Sequence, residues 1–213
     1  MSCPICEKRK PQRFCPARGD RICAICCGKE REVTIDCPSD CPHLLSARRY
    51  EVEHRKPLPA GEIPFPNVEL TLEMIRRNQA VLSGVGLAIL KSANENPSLH
   101  DPEVLTALRA LAETCRTLES GIYFERPPDA PLPRALYSQL AQLLDEFKKQ
   151  EAQQTGFSQL KNSEIFRLVV FLLRVGTRES NGRPRSLAFL DFLKTQFPPA
   201  PEKQSDAPRI IVP

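Results

Sequence analysis

Residues 3–43 read CPICEKRKPQRFCPARGDRICAICCGKEREVTIDCPSDCPH, and this stretch decides what the rest of the chain can be. It holds eight of the nine cysteines, in the order Cys3-x2-Cys6-x8-Cys15-x7-Cys23-x2-Cys26-Cys27-x9-Cys37-x3-Cys41-x-His43. A Cys-x2-Cys turn points two sulfurs at one ion while backbone amides donate to them. Zinc takes four such ligands at tetrahedral angles, about 2.3 Å from each sulfur. Eight cysteines divide into two sets of four. The pattern therefore predicts two zinc ions on Cys3, Cys6, Cys15, Cys23, Cys26, Cys27, Cys37 and Cys41, with His43 as an alternative ligand. Common iron–sulfur spacings differ from these. Gly28 suits a tight turn out of the second knuckle, and Pro38 and Asp40 suit the start of a helix near Cys41 that runs through Leu44, Leu45 and Ala47. Strand-like alternation is visible only near Arg31 to Asp36. Knuckle, short hairpin and ligand-bearing helix follow one another as in a treble clef. Four protein ligands per ion leave no open position, which predicts a structural metal.

The run Cys3-x2-Cys6, the eight-residue spacer, Phe14-Cys15, Gly19, Ile22-Cys23 and Cys26 resembles the zinc module called the B-box. That family holds two ions in an interleaved cross-brace. The resemblance implies that Cys3, Cys6, Cys23 and Cys26 bind one ion, and that Cys15, Cys37 and either Cys41 or His43 bind the other. The chain departs from the pattern at Arg18, where an acidic or Cys ligand is expected. Cys27 or Asp20 would have to substitute, and Cys27 is favoured because its sulfur is softer. B-boxes mostly serve protein association, often beside a coiled coil, but this chain has no sustained heptad. In the phrase Thr117-Leu118-Glu119-Ser120-Gly121-Ile122-Tyr123 and the run Cys37-Pro38-Ser39-Asp40-Cys41, the whole chain also resembles bacterial proteins in which such a head precedes a helical tail, a likeness that brings no activity with it.

Outside the cysteines the 213-residue composition is ordinary, with 41% hydrophobic and 26% charged residues, except for 21 prolines. The formal net charge of +4 is local: residues 1–60 hold 12 Lys and Arg against 8 Asp and Glu, while residues 61–213 hold 18 of each. Eight thiolates carrying two divalent ions cancel that excess. The basic cluster Lys8, Arg9, Lys10, Arg13, Arg18 and Arg21 could still grip phosphate, although Phe14 is the only aromatic beside it for base stacking. No apolar run approaches the ~20 residues of a membrane span, and no signal segment is visible at the N-terminus. A cytoplasmic location is expected, and there the cysteines read as metal ligands before disulfides.

Four regions follow from composition: a two-zinc head over 1–54, a Pro-rich linker over 55–66, a helical bundle over 67–197 and a flexible Pro-rich tail over 198–213. The fold class expected is mainly α, a zinc-stabilised cross-brace or treble-clef head followed by an all-α bundle of about five helices. The first helix spans Leu70 to Ala93, with Leu72, Ile75, Leu82, Val85 and Ile89 apolar. Gly84 and Gly86 within it suit close helix packing or a kink rather than a dinucleotide loop. The second helix is capped by Asp101 and has the stripe Val104, Leu108, Leu111, Cys115 and Leu118, at helical spacing. A Pro-rich loop from Arg126 to Pro133 follows, then a helix through Leu136, Leu140, Leu143 and Phe147. A helix from the Ser163 cap is apolar nearly all round and should be central. Leu187, Leu190, Leu193 and Phe197 mark the last. Arg183 and Arg185 read as solvated loop residues, and Cys115 as a buried core thiol.

No His-Glu-x-x-His, Gly-x-Ser-x-Gly or phosphate-loop pattern occurs. The expected function is a zinc-binding, non-enzymatic adaptor with a protein partner and no membrane, the bundle supplying the partner surface. The alternative is a nucleic-acid-binding regulator that uses the basic head.

Overall fold

The computed structural model describes residues 2–119, 121, 124–155 and 160–197. The expected tail over 198–213 and part of 117–123 lie outside them. In the head, β1 (Arg13–Cys15) and β2 (Asp20–Ile22) pair antiparallel, with Phe14 opposite Arg21. The turn between them needs Gly19, whose φ is +68°. α1 (Ala24–Glu30) and α2 (Pro42–Glu53) complete the head. The hairpin lies earlier than the alternation near Arg31 to Asp36 suggests. Three residues per strand are too few to show a period, and Arg31 and Ile35 instead meet in one isolated bridge across a turn. Gly28 is no turn either, because α1 runs straight through it. α2 begins where expected, with Cys41 before it and Pro42 in its first turn, a position that costs no hydrogen bond.

The helical region is formed by α3 (Leu72–Arg77), α4 (Gln79–Glu95), α5 (Asp101–Glu119), α6 (Pro131–Thr155), α7 (Asn162–Glu179) and α8 (Ala188–Gln196). The single first helix of the sequence reading is two. The chain breaks at Asn78, whose side-chain amide donates to Met74 O at 2.9 Å and competes with the helix ladder. Leu72, read as a core position, is 71% exposed at the start of α3, and Met74 is the buried residue of that helix. α4 continues with Val85 and Ile89 buried, and its two glycines bring it close to its neighbours. A Cβ on Gly84 would lie 2.7 Å from the Phe147 ring. α6 starts at Pro131, inside the segment expected to be loop, because proline is tolerated in a first helical turn.

The stripe on α5 is the clearest agreement between period and packing. Val104 and Leu108 are fully buried, and Leu111 and Cys115 nearly so, against α7. α7 is central, packed on α5 and α8, with Leu168, Val169, Val170 and Leu173 all essentially inaccessible. It begins at Asn162, so Ser163 lies inside it rather than capping it. Asp101 does not cap its own helix. The first intrahelical bond of α5 runs from Val104 N–H to His100 O, while the Asp101 carboxylate accepts from the amides of Phe189 and Leu190 and from the Ser186 hydroxyl. It therefore satisfies the free amides that open α8, a tertiary contact that tethers α8 to α5.

The head is docked on the bundle through polar groups. Glu32 is 1% exposed and has φ +52°. Its carboxylate accepts from Arg48 and from the Asn181 side chain, both at 2.7 Å, and its carbonyl accepts from Arg185 N–H at 2.9 Å. Arg48 reaches on to Asp191 at 2.5 Å, and Ser39 donates to the same carboxylate. Arg183 donates to the carbonyls of Gly28 and Arg31, and Arg185 pairs with Asp36. Arg183 and Arg185 are thus not solvated loop residues. They fasten the loop after α7 to the head. The proline-rich segment is likewise held down, since Arg174 donates to the carbonyls of Pro64, Phe65 and Val68, and Phe65 sits edge-on to Phe166 with ring centroids 5.5 Å apart.

Candidate metal centre

The turn at Cys3–Cys6 and the start of α1 face each other. Cys3 is fully buried, and its backbone N–H donates to Arg9 O at 2.7 Å, which closes the first turn. Cys23 precedes α1 in extended conformation, and its Sγ accepts from Cys26 N–H at 3.4 Å. Cys3 Sγ accepts from Cys23 N–H at 3.2 Å. Cys6 Sγ and Cys23 Sγ lie 3.9 Å apart. The four sulfurs of Cys3, Cys6, Cys23 and Cys26 all fall within 4.8 Å of one another. Tetrahedral ligation with metal–sulfur bonds of about 2.3 Å places sulfurs about 3.8 Å apart, so the spacing suits a four-sulfur ion. These four are the residues assigned above to the first ion.

The electrostatics of the group follow from its amides and its dryness. Burial pushes the Cys3 thiol up, but amides of Cys23, Cys6 and Ile5 aimed at its sulfur win, and the net direction is down. The amide of Lys8, followed by that of Arg9, draws Cys6 down to about 6. Cys26 has burial and its three sulfur neighbours against it and is pushed up to about 12. Four thiols this close cannot all ionise unaided, and a divalent cation between them removes the conflict. The Arg9 guanidinium, donating toward Cys23 and facing Cys6, is raised in turn.

The other predicted ligands are placed differently. Among the described residues only the first four form a group within that distance. Cys15 and Cys41 are buried, and Cys37, half-buried, is pushed up by burial first, with the charges of Cys41, Glu32 and Cys15 adding to it. These three thiols are neighbours without converging on one point. Cys27 Sγ instead accepts from Arg13 at 3.7 Å and Arg31 at 4.0 Å. His43 is on α2, partly buried, and is held below its ordinary value by burial and by the nearby Arg13 and Arg31. Asp20 pairs with Arg18 at 3.3 Å. The basic cluster is thereby partly spent within the head: Arg9 on Cys23, Arg13 on Cys27 and Arg18 on Asp20. Sequence reasoning missed Glu32, the residue on which the head's attachment turns. Its only signal is a carboxylate between an arginine and a valine.

No disulfide joins any of the nine cysteines, and no helix among the described residues is long and apolar enough to cross a membrane. No family model, curated protein or solved structure matches the chain.

Proposed function

We propose that residues 1–54 form a zinc-stapled head of treble-clef or cross-brace type, and that the protein is a non-enzymatic adaptor of the cytoplasm. The observation that carries this reading is the closed set of four sulfurs of Cys3, Cys6, Cys23 and Cys26. Soft thiolates at this spacing select zinc, and four of them leave no coordination position for water, so the ion organises structure rather than chemistry. The head has a small core of its own around Ile22 and Ile35, too little to fold without a staple. A second zinc on Cys15, Cys27, Cys37 and Cys41 belongs to the same proposal, with modest closing of those thiols around the ion.

Among the described residues six exposed large apolar side chains lie within residues 1–54, against Leu72, Leu87 and Phe124 elsewhere, and this majority places the partner surface on the head. Phe14, Ile25 and Val33 of the head, and Leu45, Tyr50 and Val52 of α2, are exposed, and Phe14, Tyr50 and Val52 exceed half of their full accessibility. Exposed aromatic and branched side chains on a metal-fixed frame suit protein association. Pull-downs from cell extract with and without nuclease test the reading. A protein partner that survives nuclease and is lost with Phe14→Ala and Ile25→Ala supports the adaptor. A partner lost with nuclease alone replaces it with the nucleic-acid reading.

A further inference from the structure

Beyond the metal head, the C-terminal ends of α2 and α7 and the segment after α2 enclose a cleft of about 570 Å³. Four cations line it, Arg55, Lys56, Arg174 and Arg178, and no carboxylate does. Val52, Leu58 and Ile63 form its apolar wall. It shares Arg55, Arg178, Val52 and Leu58 with a second hollow of about 460 Å³ that is bordered by Arg48 and Arg183 and by Glu51 and Glu179.

The charge here is not balanced by the protein. Arg55 pairs with Glu179 at 2.9 Å, and Arg48 with Glu32 and Asp191. Arg174 donates only to backbone carbonyls. Arg178 and Lys56 have no partner among the described residues. The Nε of Arg48 is buried with no hydrogen-bond acceptor. Two helix C-termini contribute about half a negative charge each, which offsets a small part of the excess. Arg174 and Arg178 come from residues 61–213, which carry equal numbers of acids and bases, so their share of this concentration is a segregation of charge, while Arg55 and Lys56 belong to the basic residues 1–60.

We propose that the cleft binds a small organic molecule bearing a di- or polyphosphate group. The guanidinium fork matches phosphate oxygens in pairs. Arg174 and Arg178 stand one helical turn apart on α7 and line the same cleft as Arg55 and Lys56, so the four cations border one compact volume rather than string out along a groove. Arg174 contributes its charge while its Nε and one Nη stay on the carbonyls of Pro64, Phe65 and Val68. The volume is that of a small-molecule site, and the apolar wall takes the uncharged body of the ligand. No aromatic residue lines either hollow, which removes the stacking platform that single-stranded nucleic acid uses.

The test is calorimetric titration of the zinc-loaded full-length protein with pyrophosphate at low ionic strength, with zinc content checked afterwards by native mass spectrometry. Saturable binding of one equivalent is expected. Lys56→Gln combined with Arg178→Gln, both at exposed positions, should weaken it by about tenfold or more with unchanged helical circular dichroism. Lys91→Gln, on the far-removed α4, should leave it unchanged. Absence of saturation in the millimolar range overturns the proposal, as does equal weakening by Lys91→Gln. Tighter binding of a hexaglutamate peptide or of a single-stranded oligonucleotide than of pyrophosphate overturns it in favour of that ligand class.

Discussion

Arg48 and Glu32 form an ion pair at 2.7 Å in which the carboxylate is 1% exposed and the arginine side chain 15%. Because Arg48 also holds Asp191 of α8, one guanidinium ties the turn after α1 to the first turn of α8. Removing one member of so buried a pair leaves the other desolvated. Glu32→Ala should therefore cost roughly 3 kcal/mol. The double variant with Arg48→Met should recover part of that loss. Urea unfolding of the metal-loaded protein measures both, and strictly additive effects would show that the pair is not coupled.

Metal content separates the two sulfur sets. The wild-type protein should carry two zinc ions by native mass spectrometry. Cys26→Ser should lose the ion at the group formed by Cys3, Cys6, Cys23 and Cys26. Cys27→Ala should lose the other and loosen the turn from Arg31 to Ile35. A rapidly labelled native thiol that maps to Cys27, with one zinc retained, would instead make it a free cysteine beside Arg13 and Arg31.

Chelation should unfold the head and leave most of the helical circular dichroism, because the buried stripe of α5 and the core of α7 involve no metal ligand. It should nevertheless reach into the bundle at one place. Amide exchange should rise over residues 181–190, where Arg183, Arg185 and Asn181 lose their head partners. Protection there that is indifferent to chelator would contradict the docking described above.

Cys115 gives a pH dependence with a defined sign. Burial raises its thiol from 9.0 to about 11, with Lys148 opposing weakly. A group whose value rises on folding stabilises the fold fully below its unfolded value and loses that contribution as pH climbs through the folded one. The stability difference between wild type and Cys115→Ala should therefore shrink between pH 9 and pH 11, by roughly 3 kcal/mol at most. At neutral pH a thiol reagent should not label Cys115 in the native state.

Gly176→Ala distinguishes packing from helix propensity. Alanine favours the helix by up to about 1 kcal/mol. The new Cβ would stand 2.6 Å from Leu105 Cδ2 and 2.9 Å from Phe189 Cε1, however, and Phe189 is fully buried. Overpacking should prevail, with a net loss of about 1–2 kcal/mol in thermal unfolding.

Features that depend on local spacing could be read directly along the chain. The intervals Cys3-x2-Cys6 and Cys23-x2-Cys26 foretold two knuckles, and the interval between Val104 and Cys115 foretold a buried helical face, both from fixed backbone periods that need no knowledge of distant residues. That the two knuckles share one group was implied by the B-box resemblance, not by spacing. Only the tertiary structure decided that Asp101 opens α8 rather than α5, and that Asn78 divides a continuous apolar period into two helices. It alone made Glu32, Arg183 and Arg185 the seam between head and bundle, and gathered Arg55 and Lys56, just after α2, with Arg174 and Arg178 of α7 along one cleft. Polar groups have no periodicity to read. A carboxylate or guanidinium pairs with whatever the chain brings within about 3 Å, and in this fold the partners stand up to 155 residues away.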